Sequence, residues 1–353
     1  MSIQPKTNAG RYFEDFAVGQ VITHATPRTL TSGDASLYMG LYGPRFAVQS
    51  SDGFAQAVGY RLSPLDDLLV FHTVFGKTVP DISLNAVANL GYAECRFEAA
   101  VYPGDTLSAV SQVIGVKENT NRETGVVYVR TTGRNQAGAE VLSYVRWVMV
   151  RKRDAASPAP APVVPKLADR VDPTLLGRAV PPLDPARYDF AAAGARHRFG
   201  DYQAGERIDH MDAMTLEEAE HQIATRLYQN SAKVHFNAHA QAQSRFKRRL
   251  VYGGVVISLA RALSFNGLAN GFHIAAINGG RHVAPCFAGD TVYAWSEILE
   301  VAEIAGRRDI GAVRTRLVAV KNQDAARFPL KGAGGDYAEG VILDLDAWLV
   351  MPR

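Results

Sequence analysis

Apolar and polar positions along the chain fall into two similar series, each combining a helical stretch with several strand-like ones. In the first half, Asp52-Gly53-Phe54-Ala55-Gln56-Ala57-Val58-Gly59 predicts a helix begun by an acidic cap. Stretches 93–101, 106–116, 125–133 and 141–150 mix β-branched and aromatic residues between turn signals such as Pro103-Gly104-Asp105 and Gln136-Ala137-Gly138, and predict strands. In the second half, Gly254-Val255-Val256-Ile257-Ser258-Leu259-Ala260-Arg261-Ala262-Leu263 predicts an apolar helix, taken as the partner of the one at 52–59. The inferred unit is a helix packed on a long antiparallel sheet, an α+β layer arrangement.

The two series keep register. Phe13 and Gly19 match Phe199 and Gly205, offsets of 199 − 13 = 186 and 205 − 19 = 186. Thr29-Leu30 falls on Thr215-Leu216, and Leu41-Tyr42 on Leu227-Tyr228, again 186 apart. Pro103-Gly104-Asp105-Thr106 answers Ala288-Gly289-Asp290-Thr291, with 290 − 105 = 185, and Arg146-Trp147 echoes Ala347-Trp348. An ordered series at nearly constant offset argues for duplication. Between the copies, prolines at 158, 160, 162, 165, 173, 181, 182 and 185 remove amide donors and predict an extended linker. The expected organisation is therefore an N-terminal domain over 1–153, a Pro-rich linker over 154–190 and a C-terminal domain over 191–353.

Composition narrows the function classes. With 38 Lys+Arg against 35 Asp+Glu, the charge of +3 is too small for a general nucleic-acid or membrane-surface binder, so any anion site must be local. Cys95 and Cys286 are the only cysteines and show no CxxC spacing, which implies neither a disulfide framework nor a structural zinc site. The opening MSIQPKTNAGRYFEDF lacks the pattern of a secretion signal, and no apolar run approaches the ~18 residues of a membrane span. A soluble, cytoplasmic protein is expected.

In the second half, Tyr228-Gln229-Asn230-Ser231-Ala232-Lys233-Val234-His235 precedes the Tyr252-Gly253-Gly254 helix start and the Ala288-Gly289-Asp290-Thr291 turn. This order resembles the hot-dog fold of the MaoC-like, R-specific enoyl-CoA hydratases, in which an (S/T)GDxNPxH segment precedes the central helix. Asn230 stands in the family's aspartate place, and the five-residue gap to His235 is kept. Transferred by the same offset, the first half carries Pro44 and Gln49 at these two places, and neither side chain can transfer a proton. The chain thus resembles the double hot-dog hydratases, where one copy has lost its catalytic pair and shapes the acyl pocket. Its whole-chain layout is most similar to the mesaconyl-CoA hydratase (β-methylmalyl-CoA dehydratase) branch.

What the resemblance implies is a tandem hot-dog lyase that adds or removes water on a short, branched, dicarboxylic enoyl-CoA, with no cofactor beyond the coenzyme A of its substrate. Association into a homo-oligomer, a dimer, is also expected from it. Such hydration needs water activated at Cβ, a proton at Cα and stabilisation of the enolate oxygen. His235 suits the proton work, since imidazole titrates near neutrality. Asn230 could orient the water through its carbonyl oxygen but cannot take its proton. Glu217, Glu218 and Glu220 could supply a carboxylate, though on a helix over 216–227 they read more simply as a solvated face.

Gly253 and Gly254 fit the enolate's need for backbone amides at a helix N-terminus, or else only permit tight helix–sheet packing. The basic run Arg245-Phe246-Lys247-Arg248-Arg249 could receive the phosphates of coenzyme A, with Arg245, Lys247, Arg248 and Tyr252 as candidate substrate contacts; the plainer reading is a solvated charge run. Lys233 could pair with a free carboxylate on the acyl group, or be a surface lysine. His235 and His239 share helical spacing, but no third ligand accompanies them, so no metal is expected. The histidines at 24, 72, 197, 210, 221, 273 and 282 lack patterned partners and read as structural, and Gly332-Ala333-Gly334-Gly335 reads as a mobile insertion. Two other classes remain open: a hot-dog thioesterase, and a non-catalytic acyl-CoA binding protein.

Overall fold

The computed structural model describes residues 6–353; residues 1–5, the start of the stretch read for a secretion signal, lie outside the described residues. Ten strands form one antiparallel sheet. They are β1 (Val21–Thr29), β2 (Ala86–Phe97), β3 (Thr106–Glu118), β4 (Thr124–Arg134), β5 (Glu140–Arg151), β6 (Arg207–Thr215), β7 (His273–His282), β8 (Thr291–Glu303), β9 (Ile310–Lys321) and β10 (Val341–Pro352). The order β1-β3-β4-β5-β2-β7-β10-β9-β8-β6 places one copy's five strands on each side of a β2–β7 seam. The helices are α1 (Ser32–Tyr42), α2 (Ala47–Ser50), α3 (Asp52–Val58), α4 (Asp67–Thr78), α5 (Glu218–Leu227), α6 (Lys233–Phe236), α7 (Ala238–Gln241), α8 (Gly253–Leu263) and α9 (Phe265–Leu268).

The repeat offset reappears as a pseudo-two-fold axis. Across the seam Ala93 pairs with Gly279 (279 − 93 = 186). Between the helices, His72 Nε2 and Ser258 Oγ are hydrogen-bonded at 3.2 Å (258 − 72 = 186). Farther along, the Tyr228 hydroxyl donates to that of Tyr42 at 2.9 Å (228 − 42 = 186). Each pair joins a residue to its own counterpart, which happens only where an axis relating the two copies passes between them. The tandem hot-dog, α+β architecture expected from the sequence is the one present.

One helix assignment needs correction. The helix at 52–59 exists as α3, but the counterpart of α8 is α4, since 253 − 67 = 186. Its sequence, DLLVFHTVFGKT, is buried from Leu68 to Thr78, enclosed between the sheet and α8. A helix covered on every side carries no amphipathic period, so the pattern that reveals surface helices is missing. The first strand also differs, running over Ala86–Phe97 instead of 93–101. Leu68, Leu69, Phe71 and Val74 from α4 join Val255, Val256, Ile257 and Leu259 from α8 in the main core, where burying such a side chain contributes about 1.5–3 kcal/mol.

From Asp154 to Phe190 the chain has no strand or α-helix. It is nonetheless packed: Val171, Leu176, Val180, Leu183 and Tyr188 are buried with Phe272 and Trp348, and Val163 bridges to Val116. The Gly332–Gly335 turn is likewise anchored, by a bridge between Lys331 and Tyr337. Cys95 and Cys286 are both buried, unbonded thiols.

Candidate active site

The start of α8 is held open. Tyr252 occupies the N-cap position in extended conformation, without a side-chain cap. Among the described residues, nothing accepts a hydrogen bond from the Gly253 or Gly254 amide. Two free N–H groups at a helix N-terminus form a site for developing negative charge. Space there is tight: a Cβ on Gly253 would stand 2.3 Å from His282 Cε1, and one on Gly254 would stand 2.6 Å from His72 Cε1.

At the equivalent helix start in the first half the chain supplies carboxylates of its own. Asp66, in the place of Tyr252, accepts from the Leu68 amide at 2.9 Å. Asp67, in the place of Gly253, accepts from the Ile274 amide at 2.7 Å and lies 2.8 Å from His273 Nδ1. Nearby, the Gln49 amide donates to the Phe272 carbonyl at 2.7 Å. Anion capacity is thus consumed internally in one copy and left available in the other.

His235 lies on the short helix α6, beside the α8 start. Its Nδ1–H donates to the Leu250 carbonyl at 2.8 Å, which leaves Nε2 with a free lone pair. Burial lowers its pKa to about 4, the Leu250 contact opposing this, so the ring is neutral at physiological pH. Its ring centroid stands 5.4 Å from that of Tyr252 and 6.3 Å from that of His221. Asn230 is buried, and its Oδ1 accepts from the Ala232 amide at 3.1 Å, shaping the turn into α6. With that oxygen engaged, the side chain has its NH₂ and one remaining lone pair with which to orient a water.

Three histidines read from the sequence as isolated converge here. His221 Nε2 accepts the Tyr252 amide at 3.0 Å, and burial followed by the nearby His235 lowers its pKa to about 3. His72, from the first copy's central helix, lies 3.3 Å from the Tyr252 hydroxyl, and burial lowers its pKa to about 3. His282 takes the Tyr92 hydroxyl at 3.3 Å, with its pKa lowered to about 4 by burial and then by His235. Their partners lie far away in sequence, for His72 and His282 in the other copy, so no local spacing marked them.

The basic run lies beside α6. The Leu250 amide donates to the Val234 carbonyl at 3.1 Å, so residues 245–250 run alongside α6. Arg249 is ion-paired with Glu218, whereas Arg245, Lys247 and Arg248 are exposed and form no ion pair among the described residues. Arg248 stacks over Phe287 at 4.0 Å. Lys233 is exposed on α6 and also forms no ion pair among the described residues. Glu217, Glu218 and Glu220 are exposed on or just before α5. Among the described residues no group of three His, Cys, Asp or Glu is placed to hold a metal, and no helix is long and apolar enough to cross a membrane.

The chain is similar to known proteins over nearly its whole length. The sequence profile of the family described as "Mesaconyl-CoA hydratase" matches residues 4–331. A β-methylmalyl-CoA dehydratase of Chloroflexus aurantiacus is 60% identical over 349 residues, 99% of each chain. A mesaconyl-CoA hydratase of Cereibacter sphaeroides is 58% identical over 349 residues, 99% of this chain and 100% of that one. Among solved structures, a MaoC domain dehydratase from C. aurantiacus superposes with a TM-score of 0.96 at 59% identity over 99% of both chains. A Mycobacterium tuberculosis protein described as a double hotdog fold superposes at 0.71, with 27% identity over 98% of this chain and 99% of that one.

Proposed function

Because the chain belongs to the mesaconyl-CoA hydratase family and is a hydro-lyase, we propose that it interconverts mesaconyl-CoA and β-methylmalyl-CoA in the cleft between α6 and the start of α8. The observation that carries the site assignment is the contrast between the two helix starts, one capped by Asp66 and carrying the Asp67 carboxylate, the other left with free glycine amides beside a neutral imidazole.

The thioester oxygen sits at the Gly253 and Gly254 amides, where charge developing on the enolate is met by donors fixed beforehand; one such donor contributes about 2.7–4 kcal/mol. His235 Nε2 takes a proton from water as its oxygen adds to Cβ. With its pKa lowered to about 4, the imidazolium so formed is a strong acid, and the proton passes readily on to Cα. Asn230 positions the water without accepting its proton. Arg245, Lys247 and Arg248 receive the phosphates at the rim, and coenzyme A serves as part of the substrate with no separate cofactor. A cytoplasmic setting accords with two unbonded thiols.

Incubation with mesaconyl-CoA tests the reading. Loss of enoyl-thioester absorbance without release of free thiol is expected. Stoichiometric thiol release would replace it with a thioesterase, and binding without any spectral change would replace it with a carrier.

A further inference from the structure

Arg146 lies on β5, in the first copy, and is fully buried. Its Nη2 donates to Thr78 Oγ1 at 2.7 Å and to Ser83 Oγ at 3.4 Å, while Nε and Nη1 have no partner. No carboxylate forms an ion pair with it among the described residues. The guanidinium lies 4.2 Å from the centre of the Phe75 ring, and its interacting titratable neighbours are Tyr92, Tyr144 and Tyr252, together with His24, which is itself bonded to Asp81 at 2.8 Å.

An unpaired buried charge of this kind is expensive, typically several kcal/mol even after relaxation, and folded proteins tolerate it where a counter-charge arrives. Position supplies the rest. The ring of Phe75 stands 5.8 Å from that of Tyr252, the residue that opens α8, and 6.2 Å from that of Tyr92, which contacts His282. Two aromatic rings, those of Phe75 and Tyr252, therefore connect Arg146 to the glycines that open α8. The counterpart of Arg146 in the second copy is Ala347, and the buried cation near the first half's own helix start is instead Arg261, whose interacting neighbours are Asp66 and Asp67.

We propose that Arg146 is the specificity-determining residue that receives the distal carboxylate of a dicarboxylic enoyl-CoA. This rests on the hydratase reading and deepens it. The two unpaired guanidinium nitrogens offer a planar fork that suits a carboxylate, and the tyrosine hydroxyls beside it are the polar groups such a carboxylate would meet. The exposed Lys233, the alternative partner, stays hydrated and contributes little selectivity by comparison. The first copy, having lost its proton-transfer groups, retains a role as the reader of the substrate's far end.

The test compares mesaconyl-CoA with crotonyl-CoA, which lacks the second carboxylate, on the wild-type protein and on Arg146→Met and Arg146→Lys. Wild type should favour the dicarboxylic substrate. Arg146→Met should lower kcat/KM for mesaconyl-CoA by at least about a hundredfold while crotonyl-CoA hydration changes less than about threefold, and Arg146→Lys should recover part of the preference. Equal losses on both substrates would mean a structural role and would overturn the proposal, as would a ratio unchanged from wild type. If wild type hydrates neither substrate, the hydratase reading fails instead, a result visible before any variant is made.

Discussion

Gly76 belongs to the first copy's central helix, yet it controls where the second copy's motif sits. A Cβ at this position would lie 1.8 Å from the Tyr228 carbonyl oxygen, 2.9 Å from its carbon and 3.5 Å from the Asn230 nitrogen. Contacts under 3.0 Å are essentially never made by real Cβ atoms, so Gly76→Ala must separate helix and backbone by at least 3.0 − 1.8 = 1.2 Å. The obstacle is main chain and cannot rotate aside. Overpacking of this kind costs about 1–3 kcal/mol, partly offset by the roughly 1 kcal/mol that alanine gains over glycine within a helix. The protein should therefore still fold. Because a misplacement of about 1 Å in catalytic geometry costs about a hundredfold in rate, kcat for enoyl-CoA hydration should fall by one to two orders of magnitude. Gly40→Ala is the control: it lies within α1 with nothing within 4 Å of the added methyl, and activity should be unchanged. The assay is absorbance-monitored hydration beside thermal melting by circular dichroism. Gly76→Ala activity within about threefold of wild type would show that the Tyr228–Asn230 backbone does not need this contact.

Two further outcomes follow from the electrostatics. Exchanging Arg245, Lys247 and Arg248 for alanine should raise KM for CoA thioesters and flatten its salt dependence, while leaving activity on acyl-pantetheine, which lacks the nucleotide phosphates, unaltered; equal losses on both would remove these residues from phosphate binding. Acid should destabilise the fold through its buried histidines, opposed in part by Asp66, whose carboxyl is raised to about 6 by burial and then by Asp67 and so binds its proton more readily folded than unfolded. His72 and His221, lowered to about 3, and His235 and His282, lowered to about 4, bind fewer protons folded than unfolded below the ordinary histidine value of 6.5. Their contribution is complete above pH 6.5 and is lost as the pH falls from there toward 4, so urea midpoints should drop across that window. A flat midpoint between pH 6.5 and 4.5 would show that these rings are not held neutral.

Much of the fold was legible because duplication imprints order on a sequence. The offset of 186 foretold the axis that runs between His72 and Ser258, and β3, β4 and β5 lie within two residues of their predicted ends, since alternating strands with turn signals carry local information. The central helix α4 was not legible, for the opposite reason: complete enclosure erases periodicity. The site divides in the same way. Asn230, His235, Gly253 and Gly254 share one stretch of chain and could be read together. His72, and the Tyr92–His282 pair, reach it from α4, β2 and β7, and a contact between copies leaves no mark on spacing within either one.

The central claim is that His235 moves the proton, and the rate of mesaconyl-CoA hydration by His235→Gln tests it most directly. The substitution keeps a polar side chain but removes the base. With native circular dichroism and melting behaviour, turnover is predicted to fall at least about a hundredfold; a rate near that of wild type would contradict the account.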